Sequence, residues 1–146
     1  MFTLSKILKF CAYQDRSIAE VRTKLKGAIL SEDEIATIIN QLIAEDFLNE
    51  ERFAENYVNA KLKTKGWGYA KIKFHLQQKG ISNDIIHNAL NNIEKTDWNE
   101  QLQKNIEKWK KNNELSKTTF PKLVRFLSSK GFKISDIMNN IKFFDS

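Results

Sequence analysis

The apolar and polar positions of this chain repeat at long intervals. The segments AEVRTKL, AKIKFHL and PKLVRFL begin at residues 19, 70 and 121, a spacing of 51 residues. Downstream of each segment, the same offset aligns an apolar stripe at i, i+4 and i+7, which is typical of the buried face of an amphipathic helix. The aligned positions are Ile35, Ile86 and Ile137, then Ile39, Leu90 and Ile141, then Leu42, Ile93 and Phe144.

A second set of apolar positions precedes each segment and predicts an equivalent first helix in each copy. At a spacing of 49 residues these positions are Leu4, Phe53 and Leu102, then Leu8, Tyr57 and Ile106, then Cys11, Ala60 and Trp109. The pattern therefore predicts an all-α chain of three tandem three-helix repeats, over residues 1–48, 49–95 and 96–146. Because units of about 50 residues bury too little apolar surface alone, we expect them to stack in an elongated, curved array.

Residues that favour helix starts and ends support this division. The predicted starts are the capping boxes Ser17–Glu20 and Ser31–Glu34, Asn49 before an acidic turn, and Pro121 at a first helical position. Gly80 and Gly131 predict helix ends in the left-handed conformation, each followed by an apolar residue. Gly27 lies two residues before the position equivalent to Gly80, so we expect the second helix of the first repeat to end early.

Composition narrows the class of protein. Hydrophobic residues make up 41% and charged residues 29% of the 146 residues, which favours a folded chain. Cys11 is the only cysteine, so no intrachain disulfide forms, and we expect a small buried side chain there. His75 and His87 lack partners at metal-ligand spacing, and no nucleophile lies in a catalytic motif. We therefore predict that the chain is not an enzyme and holds no metal or cofactor.

The sequence also bears on location. No stretch approaches the roughly 20 apolar residues that a membrane-spanning helix requires, and the N-terminal residues lack a small-residue cleavage pattern. We therefore expect a cytoplasmic protein without membrane contact. We also expect a monomer.

The formal charge of +6 is unevenly distributed. Residues 1–48 contain six basic residues (Lys and Arg) and seven acidic residues. The corresponding numbers are eight basic and five acidic residues over 49–95, and ten basic and six acidic residues over 96–146. Residues 56–83 contain six lysines and no carboxylate. This gradient favours an acidic partner for the C-terminal two thirds, either nucleic acid or an acidic groove of a protein.

Candidate partner-binding residues lie in these basic parts of the chain. They are Arg52, Lys61, Lys63, Lys65, Trp67, Tyr69, Lys71, Lys73, Phe74, Lys122, Arg125, Lys130 and Lys133. Lysines beside aromatic rings favour phosphate neutralisation combined with stacking. Lysines that end a helix also complement its dipole, and lysine is common on any solvated helix surface.

Several of these residues have ordinary structural roles as alternatives. The Gly66-Trp67-Gly68 sequence predicts a tight turn between helices, over which a tryptophan packs more often than it contacts a partner. Phe74 points about 160–200° away from the core pair Ile72 and Leu76, so it either packs between repeats or faces a partner.

Arg52 has two readings as well. It forms a surface ion pair with Glu51 or Glu55, which is the more ordinary outcome, or it reaches a partner.

Two motifs in the middle of the chain carry a resemblance to a known family. The first is Phe47-Leu48-Asn49-Glu50-Glu51-Arg52-Phe53-Ala54 with Tyr57, and the second is Gly66-Trp67-Gly68 with Ile72, Leu76, Lys79, Gly80 and Ile81. Residues 42–90, which contain both motifs, resemble the RecX family, bacterial regulators of the RecA recombinase. The segment RSIAEVRTKL at 16–25 resembles the first unit of that family, whereas the third unit matches mainly as a repeat.

The resemblance implies three three-helix repeats and a non-enzymatic regulator of recombination and DNA repair. Such a regulator binds in the helical groove of the RecA filament on single-stranded DNA and hinders its growth, ATP hydrolysis and strand exchange. A free-standing helical DNA-binding protein is the alternative function, because three-helix units with a basic second helix can dock on DNA.

Overall fold

The computed structural model describes residues 4–141, and over this range the chain is all-α. Repeat 1 contains α1 (Leu4–Tyr13), α2 (Ile18–Lys26) and α3 (Glu32–Ala44). Repeat 2 contains α4 (Glu50–Ala60), a π-helical turn (Lys61–Lys65), α5 (Tyr69–Gln78) and α6 (Asn83–Asn91). Repeat 3 contains α7 (Lys95–Lys110), α8 (Phe120–Ser129) and α9 (Ile134–Asn140). The predicted class, all-α with three-helix units, is confirmed.

Each repeat has its own apolar core. The cores of repeats 1, 2 and 3 are centred on Val21 and Leu25, on Ile72 and Leu76, and on Leu123 and Leu127, all with no exposed surface. The predicted stripes of the third helices are buried in these cores, apart from Ile93, which is half-buried beyond the end of α6. Phe144 lies outside the described residues.

The exposed surface of the chain is large for its length, in agreement with the elongated array that the sequence predicts. The chain exposes 9463 Å² of surface, about a fifth more than the roughly 7,700 Å² expected for a compact protein of this size. The curvature of the array stays a prediction. So do the boundaries at residues 48 and 95, since α7 begins at Lys95 itself.

The predicted stripe of the first helices is wrong at two positions, Leu4 in α1 and Ala60 in α4, whereas its other seven positions are buried or half-buried. Leu4 is 45% exposed and Ala60 is exposed, although both were placed on the buried stripe. The predicted Cys11 and Phe53 are buried, and the stripe missed Ile7 in α1 and Ala54 and Val58 in α4, which are buried beside them. Alanine gives a weak hydrophobic signal, so the pattern does not distinguish the exposed Ala60 from the buried Ala54, and Leu4 gives a strong signal although it is exposed.

The predicted helix starts are confirmed in the structure. Both capping boxes form, around Ser17 and Ser31, and the Asn49 side chain accepts from the backbone N–H of Arg52 at 3.0 Å. Pro121 is the second residue of α8, where its missing N–H costs no helical hydrogen bond.

The predicted helix ends are confirmed as well. Gly80 and Gly131 adopt left-handed φ angles of 79° and 101°. Helix α2 ends at Lys26, with Gly27 as its cap in the right-handed conformation. The early end expected at Gly27 is therefore present.

Repeats 2 and 3 dock through their backbones. The N–H of Gly68 donates to the carbonyl of Lys130 at 2.7 Å, and the N–H of Ala70 donates to the carbonyl of Gly131 at 3.1 Å. The donors lie at the N-terminal end of α5, and the acceptors follow the C-terminal end of α8. Each helix end therefore satisfies hydrogen-bonding groups of the other. The side-chain Nδ2 of the buried Asn105 adds a hydrogen bond to the carbonyl of Gly66 at 2.9 Å.

This approach requires glycine on both sides. A Cβ on Gly68 would lie 2.7 Å from the carbonyl carbon of Gly131, and a Cβ on Gly131 would lie 2.6 Å from the Cβ of Lys71. Both distances are shorter than real Cβ contacts, and the atoms involved cannot move without moving backbone. The Gly66-Trp67-Gly68 turn is thus present as predicted, and it also forms the docking surface for repeat 3.

We expect Leu76→Ala and Leu127→Ala each to lower the free energy of unfolding by about 2–5 kcal/mol, because both side chains are fully buried in separate cores. Urea unfolding followed by circular dichroism measures the change. Leu4→Ala is the control, and it should cost under about 0.5 kcal/mol since the side chain is 45% exposed. Losses at Leu76 and Leu127 no larger than the control would contradict the assigned cores.

We expect Gly68→Ala to destabilise the docking of repeats 2 and 3, because the new methyl group meets backbone of the opposite repeat. Gly27→Ala is the matched control. Both glycines have ordinary negative φ angles, −88° and −71°, but a Cβ on Gly27 meets only the carbonyl of Lys24, at an ordinary 3.5 Å. Faster hydrogen exchange at the amide of Ala70 in Gly68→Ala, with no change in Gly27→Ala, is the expected result. Equal exchange in both variants would contradict the docking.

Candidate binding surface at the repeat junctions

Four lysines from two repeats surround the docked backbone of repeats 2 and 3. Lys65 ends the π-helical turn, Lys71 lies in the first turns of α5, Lys108 lies near the end of α7, and Lys130 follows α8. We call these four residues the junction lysines. The backbone of Lys130 accepts from Gly68, and the residue after it packs against Lys71, so the two repeats bring the cations together.

The pKa of Lys130 reflects this clustering. Partial burial lowers the pKa of its ammonium group, and the charges of Lys71, Lys108 and Lys65 lower it further. Within residues 4–141, none of the junction lysines forms a salt bridge. The cluster is therefore a concentration of positive charge without a protein counter-ion.

Trp67 packs inside its own repeat. The ammonium groups of Lys61 and Lys71 lie 5.2 and 4.6 Å from the centre of its ring, and the ring of His75 lies 4.6 Å away. The tryptophan therefore packs over the turn, which was the more ordinary of the two predicted roles. Its contacts hold two lysine side chains next to the junction.

Tyr69 and Lys133 meet across the same junction. The ammonium group of Lys133 lies 5.5 Å from the ring of Tyr69, whose edge faces Trp98 at 6.0 Å. These contacts bring a predicted residue of repeat 3 beside a predicted residue of repeat 2. They place Lys133 at the start of α5, where Asp136 lines the same small cavity.

Phe74 is exposed rather than packed between repeats. Its ring is 55% exposed and meets the ring of His75 edge-on at 5.7 Å. Since residues three apart on a helix are neighbours, Phe74 lies on the same face of α5 as Lys71. Packing between repeats, one of the two alternatives for this side chain, is therefore wrong, and contact with a partner stays a prediction. The remaining candidates, Lys63, Lys73, Lys122 and Arg125, are exposed and do not belong to the junction lysines.

Arg52 forms its ion pairs within the protein. Its Nε donates to Asp15 at 2.8 Å and its Nη1 donates to Asp46 at 3.2 Å, and the hydrogen bond with Asp15 raises the pKa of the guanidinium. The predicted ion pair with Glu51 or Glu55 is therefore wrong. The partners come from repeat 1 and from the turn before α4, so Arg52 ties repeats 1 and 2 together.

Acidic residues neutralise the junction between repeats 1 and 2. Asp15 also accepts from Asn56, and the ammonium group of Lys79 lies 4.0 Å from Glu20. Burial, followed by the charge of Glu20, raises the pKa of Tyr57 at this junction. A groove of about 790 Å³ lies beside it, lined by residues of α1, α2 and the end of α5. In contrast to the junction of repeats 2 and 3, the cations here have carboxylate partners.

Three other features bear on function: possible metal ligands, the cysteine and possible membrane-spanning helices. No group of histidine, cysteine and carboxylate side chains there is arranged to hold a metal ion. Cys11 is buried as expected, and burial raises the pKa of its thiol. Among the same residues, no helix combines the length and apolar character that crossing a membrane requires.

Sequence reasoning missed two residues of this surface, Lys108 and Asn105. Both lie in α7, where they are separated from Gly66 by about 40 positions in the chain. Lys108 is one of several lysines near the end of α7, so its charge alone did not single it out. A signal was present in Asn105. This polar residue lies three positions after Leu102 and one before Ile106, so it falls on the predicted buried face of α7, where a polar side chain needs a hydrogen-bond partner.

Comparison with known proteins identifies the family. Residues 4–42 match the family model for the first three-helix domain of RecX, and residues 49–90 match the model for the second. A regulatory protein RecX from Haemophilus influenzae is 30% identical over 138 residues, which cover 92% of this chain and 90% of that protein. One from Clostridium botulinum is 38% identical over 129 residues, which cover 84% of this chain but 59% of that protein.

The fold agrees with solved structures of the same family. The crystal structure of RecX from Lactobacillus salivarius matches with a TM-score of 0.81 at 29% identity, over 94% of this chain and 90% of that one. The chain spans about three fifths of the length of the clostridial relatives that it matches. The relatives are named as regulatory proteins, in agreement with the prediction that the chain is not an enzyme. By its sequence and its fold, the chain belongs to the RecX family.

Proposed function

We propose that this chain binds the RecA filament on single-stranded DNA and inhibits its ATP hydrolysis, recombinase activity and strand exchange. The observation that carries the proposal is membership, over nearly the whole chain, of the RecX family, whose members are named as regulatory proteins. RecA is the partner that the resemblance to this family implies. Such a regulator acts where RecA acts, in the bacterial cytoplasm, and modulates recombination and DNA repair.

The geometry of repeats 2 and 3 supports this function. A filament of protein on DNA presents phosphates and carboxylates along a groove, and an extended chain of three small repeats can follow such a groove. The junction lysines and Phe74 provide charge and apolar contact area on one side of that chain. The long-range field of the basic repeats would raise the rate of encounter with the filament.

We expect substoichiometric inhibition of the ATPase activity of RecA filaments by the purified chain, because a regulator that blocks filament growth affects more RecA molecules than it contacts. A coupled ATPase assay on RecA with circular single-stranded DNA measures the effect, and a strand-exchange assay checks it independently. Unchanged activities at equimolar protein, in a sample whose circular dichroism shows folded helices, would overturn the proposed function.

Direct binding to DNA is the second candidate function, favoured by the junction lysines, which form no salt bridge among the described residues. A free-standing DNA-binding protein would bind naked DNA with an affinity that falls steeply with salt, and RecA would add nothing to it. A filament regulator needs RecA for its main effect. Measuring inhibition on filaments and binding to naked DNA in the same buffer separates the two functions.

We expect Phe74→Ala to weaken inhibition of RecA while leaving the unfolding midpoint within error, because the ring is 55% exposed and outside the core. Tyr13→Ala is the matched control, since Tyr13 is an 83% exposed aromatic residue of repeat 1. Thermal unfolding and the RecA ATPase assay are run on both variants. A loss of stability in Phe74→Ala with unchanged inhibition would show that the ring serves folding only.

A further inference from the structure

The junction lysines divide between the two repeats that they join. Lys65 and Lys71 belong to repeat 2, and Lys108 and Lys130 belong to repeat 3. They come together only because Gly68 and Gly131 let the two backbones touch. If the repeats separated, each would carry an ordinary pair of surface lysines. The concentration of charge is thus a property of the docked pair.

The docked pair lacks charge compensation of its own. Each junction lysine repels the others, and within residues 4–141 none of them has a carboxylate partner. The hydrogen bonds across this junction join backbone groups and the Asn105 amide, and the ring of Tyr69 contacts Lys133 and Trp98. None of these contacts supplies a negative charge to the junction lysines. A ligand carrying several negative charges would remove this repulsion.

The surroundings of the cluster favour a nucleic-acid strand over an acidic protein surface. A single strand offers phosphates at a regular spacing together with bases that stack on aromatic rings. Phe74 presents an exposed ring beside Lys71, on the same face of α5. A protein surface of carboxylates would match the charge, but it would leave this ring without a partner.

We infer that the junction lysines form one composite site for the phosphates of a single nucleic-acid strand, and that a bound strand holds repeats 2 and 3 together. The inference rests on the proposed function in one respect, since the strand would be the single-stranded DNA of the RecA filament. A ligand that binds the docked arrangement alone stabilises that arrangement by mass action. The site therefore both recognises the strand and fixes the angle between the two repeats.

The first experiment tests the charges. Fluorescence anisotropy measures binding of a labelled 20-nucleotide oligothymidylate over a series of salt concentrations. We expect Lys108→Gln/Lys130→Gln to reduce the slope of log affinity against log salt by roughly 1.4, because each lost phosphate contact on a single strand removes about 0.7. The control Lys9→Gln/Lys26→Gln removes two exposed lysines of repeat 1 and should leave the slope unchanged.

The second experiment tests whether the site is composite. Gly68→Ala keeps every lysine but forces the two backbones apart, whereas Gly27→Ala makes the same chemical change at a site with room for it. We expect Gly68→Ala to lose affinity for the oligothymidylate as the double lysine variant does, and Gly27→Ala to bind like the parent. Wild-type binding by Gly68→Ala would overturn the composite site, because the net charge alone would then account for affinity.

The third measurement follows the docking itself. The amide of Ala70 donates across the junction, so its hydrogen exchange reports how often the repeats separate. We expect oligothymidylate to slow this exchange in the parent and not in Lys108→Gln/Lys130→Gln. Unchanged exchange at saturating oligonucleotide would overturn the coupling between binding and docking.

The proposed function is tested separately by the RecA ATPase assay. If the parent inhibits RecA but does not bind oligothymidylate, the inference fails while the proposed function stands, and the junction lysines then face acidic groups of RecA. If the parent binds oligothymidylate through the junction lysines but does not inhibit RecA, the proposed function fails while the composite site stands.

Discussion

The structure of the C-terminal two thirds depends on one contact, the end-to-end meeting of α5 and α8. The first N–H groups of α5 carry partial positive charge and the last carbonyls of α8 carry partial negative charge, so their hydrogen bonds satisfy groups that neither helix can satisfy alone. Because Gly68 and Gly131 have no side chains, the two helix ends come within 2.7 Å of each other. The positions of the junction lysines follow from this contact, since it fixes the helices that carry them.

The two junctions of the chain join their repeats through different kinds of interaction. Between repeats 1 and 2, Arg52 and its acidic partners form a network in which each charge has a counter-ion nearby. Between repeats 2 and 3, neutral hydrogen bonds make the contact, and the four junction lysines beside it form no salt bridge within residues 4–141. A cluster of like charges lowers stability, but it also gives a surface the potential that attracts a polyanion. The first junction therefore pairs its charges, whereas the second leaves the junction lysines available for the polyanion proposed above.

The sequence predicted what depends on local periodicity and failed where contacts are long-range. Helix number, caps and the buried faces of the third helices follow from spacing within about 15 residues, and they were predicted correctly. The stripe of the first helices holds apart from Leu4 and Ala60, and it missed the buried Ala54, because alanine contributes little to a hydrophobic pattern while the exposed Leu4 contributes much. Lys65, Lys71 and Lys130 were chosen as candidates separately, but their proximity depends on two glycines 63 positions apart, and no local pattern indicates that pairing.

Salt acts on the two junctions in opposite directions. Screening weakens attraction between the partly exposed ions of Arg52 and Asp15, so it loosens repeat 1 from repeat 2. The same screening reduces the repulsion among the junction lysines and leaves the hydrogen bonds of Gly68 and Ala70 in place, so it favours the docking of repeats 2 and 3. A bound polyanion acts on the second junction as salt does, but locally and with far higher effective concentration. The array can therefore become stiffer at the site of binding while the first repeat keeps its own, independent attachment.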